Sequence, residues 1–413
     1  MHEQRGDYLG AIDANLWPAV ANPPSARFLC RYAESHFAAA CEKAGLTLTP
    51  ATKADLIVDH EQLFDRLATA GWTGLAESYL AGEWRTPDSA TLVHVLASLI
   101  AADYHMRSTP MRSPEGVSNG ELPPELVRLF AGDGMSSSGG VFATGVPTTI
   151  REAGVDITDL SEPVDVERED LGDGQRRAVE LLLDDAGVGP GTHLLDIPSS
   201  GGAVAANAAL RRATVDTVTT DVRQREAEKE RLTLAGVADS VHTVVREDVT
   251  QWRARYDAIV SVEKLENMPT GERDQVLQAI DRMLSIGGRA AVQVVVATET
   301  MSHAGREAER ILEQYIWPGQ RHLTVEQWNE LLLKETGLRI VSRRHFGSHY
   351  GLSLKLQRSL FESHTREAAA EGFDTVYRRL WIYQFALREA LFHNRQLDAV
   401  QLTLAHRNRG GRR

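Results

Sequence analysis

From Gln175 onward the chain alternates short apolar runs with amphipathic stretches of ten or more residues, and this alternation limits the fold more than any other feature. An amphipathic helix is expected to residue 186, then a buried strand over 192–197 and an Ala-rich helix over 203–212. Strand 217–220, helix 223–235, strand 241–245 and strand 256–262 follow. Helix 273–285, a turn at Gly287 and Gly288 and strand 289–296 complete the pattern. Strands joined by helices of that length make βαβ units, so the predicted fold is α/β, a Rossmann-like parallel sheet with helices on both faces.

At 413 residues the chain exceeds what one hydrophobic core normally organises, and two domains are expected. The first hundred residues mix an amphipathic stretch at 28–44, a Leu-Ile-Val run before a charged segment at 56–64, and an apolar helix at 91–102, which suits a small α+β domain. Residues 107–170 turn to Ser, Gly and Pro with a very acidic end. Composition leaves two readings of that stretch open, a linker or an active-site cover. The predicted division is therefore a small domain at 1–106, a linker and cover at 107–174, and the α/β domain at 175–413.

Apolar residues make up 42% and charged residues 25%, the balance of an ordinary globular protein. No apolar run is long enough for a bilayer span and residues 1–13 hold no apolar secretory core, so a cytoplasmic location is expected. The formal charge of −12 argues against a nucleic-acid partner, which would need a basic face. The last residues, 406–413, are locally basic and read either as a solvated tail or as a contact for anionic lipid at a membrane surface. Only Cys30 and Cys41 are present, with neither redox-pair nor zinc spacing, so no disulfide and no metal site is expected.

In an open α/β sheet ligands sit beyond the carboxyl ends of the strands, which singles out the residues just after each one. After the first come Asp196, Pro198, Ser199, Ser200, Gly201 and Gly202, a turn poor in side chains at a helix N-terminus. After the second stands Asp221, with Gln224 one turn on, where a carboxylate can accept both hydroxyls of a ribose. Asp221 is equally placed to cap the helix that follows. After the third come Glu247, Asp248 and Val249, where a carboxylate and an amide can meet an adenine edge. The recurrence after three successive strands points to a nucleoside site at Asp196, Ser199, Gly201, Gly202, Asp221, Gln224, Asp248 and Val249.

Four further stretches carry a resemblance. Residues 74–84 read GLAESYLAGEW, 256–266 read YDAIVSVEKLE, 314–319 read QYIWPG, and His349 and Tyr350 stand in a late helical region. Together they resemble the cyclopropane-fatty-acyl-phospholipid synthase family, including its mycobacterial-type unsaturated fatty acid methyltransferase branch. The resemblance implies a class I methyltransferase fold with a helical, lipid-binding insert, S-adenosylmethionine as methyl donor, and the double bond of an unsaturated acyl group in a phospholipid as acceptor. It further implies a homodimer, and a bicarbonate base held by a Cys, a Glu, a His and a Tyr. Glu266 and Tyr350 fall at the Glu and Tyr places, Gln293 at the His place and Gly139 at the Cys place, so Glu266, Tyr350 and Gln293 are the expected catalytic residues. Pro198 and Ser200 replace two glycines of the family's turn, and residues 119–125 replace its His-Tyr-Asp segment. Three functions fit these residues: a methyltransferase acting on carbon in an unsaturated acyl group, a non-catalytic paralogue that binds lipid or a partner, and a methyltransferase for another apolar substrate. Glu77, an acid amid apolar neighbours, needs a buried partner.

Overall fold

The computed structural model describes residues 8–26, 28–49, 53–106, 120–245 and 253–407. Asp248 and Val249 lie outside the described residues, as do Asn119 and most of the basic tail. Among the described residues eleven strands form two sheets. β1 (Ile57–Val58) and β2 (Trp84–Arg85) make a short antiparallel pair. β3 (Pro147–Glu152), β4 (Val155–Leu160), β5 (His193–Asp196), β6 (Thr214–Thr219), β7 (Val241–Val245), β8 (Tyr256–Val262), β9 (Leu284–Ala297), β10 (Leu338–His345) and β11 (Leu397–His406) make the large sheet, in the order β3-β4-β10-β11-β9-β8-β5-β6-β7.

Strands β7, β6, β5, β8 and β9 run parallel, and β11 runs antiparallel between β9 and β10. The chain winds from β5 outward to β7, then returns to β8 on the other side of β5, which opens a crevice at the carboxyl ends of β5 and β8. Period-two burial explains why these strands read as continuous apolar runs. Leu194, Ala258, Val260 and Ala291 pack against the helices Leu171–Asp185 and Ala203–Leu210. Leu195, Ile259, Ala290 and Val292 face the opposite core, built with the helices Thr270–Met283 and Val325–Glu335. With a core on each face, β5, β8 and β9 carry apolar residues on both sides.

Two expectations are refined. The turn at Gly287 and Gly288 lies inside β9, which begins at Leu284; pairing jumps from Tyr256↔Leu284 to Ala258↔Arg289, and the left-handed Gly287 (φ 85°) absorbs the bulge. Residues 147–160, expected within a linker or cover, form a hairpin whose second strand pairs parallel with β10 and so extends the sheet.

Contacts divide the chain into two compact units that are not consecutive stretches: residues 1–120, 300–318 and 361–396 form one, and 121–299, 319–360 and 397–413 the other. This differs from the division expected at 107 and 175, because helices from the last third of the chain supply core to the first unit. Within that unit the helix Gln62–Ala81 is kinked at Gly71 and ends on the left-handed Gly82 (φ 81°). Gly74 tolerates no side chain, since a Cβ there would stand 2.1 Å from the Arg66 carbonyl oxygen. Glu77 finds its partners in Tyr315 Oη at 2.8 Å and Gln314 Nε2 at 3.3 Å. Arg66, 3.9 Å from Glu77, is turned to Glu83 at 2.9 Å. The GLAESYLAGEW stretch is thus a packing and buried-charge motif. No helix among the described residues is long and apolar enough to cross a membrane.

Candidate active site

All of the site described here belongs to the second unit. A cleft open to solvent lies at the carboxyl ends of β5, β6 and β8. Ser199, Ser200 and Gly201 line it from the turn after β5, Gln224 and Arg231 from the helix Val222–Leu234, and Val262 and Lys264 from the end of β8. Its outer wall comes from Glu121 to Val127 and from Met135 to Ser138. Three polar ties hold that wall: Lys264 Nζ to Glu121 at 2.6 Å, Arg223 to Glu125 at 3.0 Å, and Gln224 Nε2 to the Leu122 carbonyl. Glu121 and Leu122, from the segment that the resemblance sets against the family's His-Tyr-Asp stretch, therefore meet the cleft.

Asp196 shapes the turn from beneath. It is buried, and its Oδ2 accepts from the Ser200 amide at 3.0 Å and the Ser200 hydroxyl at 2.9 Å, so Ser200 replaces backbone freedom with a side-chain brace. Its Oδ1 has no partner among the described residues. Burial pushes the Asp196 carboxyl up to about 7, against the pull of the two Ser200 bonds. Ser199 Oγ donates to Glu228 at 3.1 Å, and Glu228 is likewise raised to about 7, by burial first and by the Asp196 charge second. Gly201 (φ 77°) and Gly202 (φ 101°) both need the left-handed conformation, which explains why these two glycines stand where Pro198 and Ser200 have replaced others. Arg231 ties the turn from the far side, donating to the Gly201 carbonyl oxygen at 2.8 Å.

Asp221 caps the helix Val222–Leu234: its Oδ1 accepts from the Arg223 amide at 2.7 Å. Of the expected nucleoside contacts, Ser199, Gly201 and Gln224 line the cavity, whereas Asp196 and Gly202 support the turn and Asp221 stands at the helix N-terminus. Arg231, Lys264 and Ser136 to Ser138 were not expected; Arg231 and the serines come from a helix and a loop without a strand-end signal, whereas Lys264 follows β8 by two residues. An S-adenosylmethionine molecule suits this cavity in kind. The left-handed glycines bring bare backbone to the helix Ala203–Leu210, and the lining supplies cations, Arg231 and Lys264, as well as hydroxyls.

Next to the cavity, between Val262 and Lys264, stands Glu263. Its backbone is left-handed (φ 50°), a strained state for a residue with a side chain, and its amide donates to the Gln293 carbonyl oxygen at 2.8 Å. Tyr350 Oη donates to Glu263 Oε2 at 2.6 Å, and Gln293 Nε2 donates to Glu263 Oε1 at 2.8 Å. Tyr350 and Gln293, expected to share an anion with Glu266, both hydrogen-bond Glu263. Glu266 sits one turn further on, buried, with Oε1 accepting from the Val295 amide at 2.9 Å and Oε2 unpartnered among the described residues. Burial, and then the Glu263 charge, raises its carboxyl to about 7.

Gly139, which the resemblance sets at the family's Cys place, lies against the Tyr350 ring; a Cβ there would come within 2.4 Å of it. His349 is no titrating partner. Its Nδ1 accepts from the Phe142 amide at 3.0 Å, so Nε2 carries the hydrogen and meets the Ser161 carbonyl oxygen at 2.9 Å; burial lowers its basicity further. Sequence reasoning passed over Glu263 although it is the first residue after β8, the position from which a side chain reaches the carboxyl edge of the sheet.

A family model described as mycolic acid cyclopropane synthetase matches residues 164–402, more than half of the chain. The tuberculostearic acid methyltransferase of Mycobacterium tuberculosis is 29% identical over 417 residues, 95% of this chain and 96% of that protein. Among solved structures, the cyclopropane synthase MmaA2 of Mycobacterium tuberculosis superposes with a TM-score of 0.58 at 20% identity, covering 72% of this chain and 100% of that one. The mycolic acid cyclopropane synthase CmaA1, solved with SAH and CTAB, gives 0.57 at 19% identity, covering 68% of this chain and 93% of that one. Likeness at this level bears on the fold, which is that of the class I methyltransferases. On the family match, the chain belongs to the mycolic acid cyclopropane synthetase family.

Proposed function

We propose that this protein is an S-adenosylmethionine-dependent methyltransferase that adds a methyl carbon to the double bond of an unsaturated fatty acyl group borne by a phospholipid. One observation supports it above the others: Val262 and Lys264, which line the cleft beyond Asp196 and the Gly201–Gly202 turn, flank Glu263, and Tyr350 and Gln293 both donate to that carboxylate. The relative of matched length is a methyltransferase of a fatty acid, which favours an acyl substrate over another small apolar acceptor. A phospholipid substrate presents its acyl tails from a bilayer, so peripheral contact with a membrane surface follows from it.

Within this reading, Ser199, Ser200, Gly201 and Arg231 hold the donor's polar end, and Asp221 meets its ribose from the helix N-terminus. The donor supplies an electrophilic methyl on a sulfonium. The protein's own work is to keep water out, to align the double bond, and to accept the proton that the methylated acyl group must lose. Two measurements check this. Calorimetry of the purified protein with S-adenosylmethionine should give saturable binding, and mass spectrometry of lipids from cells making the protein should show unsaturated acyl groups gaining one CH₂. Binding without a lipid product points to another acceptor. Absence of both favours a non-catalytic paralogue.

A further inference from the structure

We propose that Glu263 is the proton-accepting base of the reaction, so that this protein supplies covalently the carboxylate that its relatives are expected to borrow as a bound ion. The inference rests on the methyltransferase reading above and on a relay whose polarity is fixed by chemistry. Arg344 can only donate, and its Nη1 meets Gln401 Oε1 at 2.7 Å. The Gln401 amide nitrogen must therefore face outward, and it donates to Gln293 Oε1 at 2.9 Å and to the Ala178 carbonyl oxygen at 2.8 Å. Gln293 is thereby turned to present its own NH₂ to Glu263. Tyr350 donates to the other carboxylate oxygen. A site built of two inward-pointing donors calls for an anion, and Glu263 is the anion provided.

Three features distinguish it from a structural post. It is half-buried rather than sealed like Glu266. Its backbone holds a strained left-handed conformation at the carboxyl end of a central strand. Its two sequence neighbours, Val262 and Lys264, line the donor cavity. Gly139 leaves the Tyr350 ring room to approach, where a side chain would displace it. In the step itself, the π pair of the double bond forms the new C–C bond as the S–CH₃ bond breaks and its pair stays on sulfur. A C–H bond of the resulting cation then gives its proton to a Glu263 oxygen, and the C–H pair closes the ring or forms a double bond. The proton passes afterwards to water.

The test uses the full-length protein with S-adenosylmethionine and vesicles of dioleoylphosphatidylglycerol, following release of S-adenosylhomocysteine. Wild-type turnover should be indifferent to removal of bicarbonate. Glu263→Gly should lose about a hundredfold in rate or more, the usual worth of a placed base, keep its affinity for the methyl donor within about threefold, as expected when only transition-state interactions are removed, and recover in part with added formate. Wild-type rate in Glu263→Gly, or a wild type that stops without bicarbonate, overturns the assignment. Loss of donor affinity together with loss of rate, without formate rescue, makes Glu263 structural and overturns it too. A readout independent of turnover is formate binding seen by ¹³C NMR: Glu263→Gly should bind formate and the wild type should not. If the wild type methylates no vesicle, the functional reading fails on its own, and absent formate binding by Glu263→Gly then refutes the anion site separately.

Discussion

Single side chains in this protein carry two jobs that substitution can separate. Asp221 caps a helix with one carboxylate oxygen and is the proposed ribose contact. Asparagine caps as well as aspartate, so Asp221→Asn should leave the melting temperature near that of the wild type while weakening S-adenosylmethionine binding roughly tenfold or more, the worth of hydrogen bonds to a charged group. Calorimetry and a thermal melt on the same sample check both halves. Glu266 offers a different measurement. Its carboxyl is raised from 4.5 to about 7 because burial penalises the charge, with Glu263 adding to it. The folded protein thus holds this proton more tightly than the unfolded one, so the contribution of Glu266 is full below about pH 4.5 and is lost as the pH rises through about 7. Glu266→Gln should therefore match the wild type in stability near pH 5 and exceed it at pH 8, by an amount on the order of 2 kcal/mol. Denaturant melts at the two pH values decide it; equal gains at both would refute the burial argument.

Elements position these groups by close approach. The segment around Gly139 passes so near the helix Gly347–Ser363 that Gly140 N donates to Ser353 Oγ at 2.9 Å and Gly139 rests on the Tyr350 ring. Gly139→Cys, the residue that the resemblance implies at this place, should displace Tyr350 from Glu263 and cost about 1–3 kcal/mol of stability, the typical penalty of overpacking. A melt reads the stability and a structure of the variant reads the displacement; an unchanged Tyr350–Glu263 bond would show the segment to be more yielding than its packing implies. Parallel strands act similarly on Asp196, which pairs in register with Thr217 and so is fixed at the sheet's edge before any turn residue is placed.

At the scale of the molecule, the first unit is assembled from three separated stretches of sequence. Trp17 Nε1 donates to Asp374 at 2.7 Å, Glu77 needs Tyr315, and Arg379 donates to the Leu80 carbonyl oxygen at 3.0 Å. A fragment of residues 1–106 would leave Glu77 buried without its hydroxyl partner and the helix Gln62–Ala81 without the helices that cover it. Expressed alone, that fragment should show no cooperative melt and little dispersion in its NMR spectrum. A folded fragment would restore the simple division read from the sequence.

The alternation after Gln175 determined the α/β class, the order of strand and helix, and most element boundaries, because burial of a two-faced sheet writes itself into local hydrophobic pattern. The strand-end rule likewise singled out Ser199, Gly201 and Gln224, which line one cleft in the structure. Tertiary structure alone decided which carboxylate Tyr350 meets. Glu263 and Glu266 lie three residues apart with the same chemistry, and the left-handed turn at Glu263 and the relay from Arg344 through Gln401 and Gln293 go with a half-buried carboxylate, where Glu266 is sealed. It also decided the make-up of the two units, since contacts between Glu77 and Tyr315, 238 residues apart, leave no trace in periodicity. Local pattern records burial; convergence of distant side chains is a property of the folded protein.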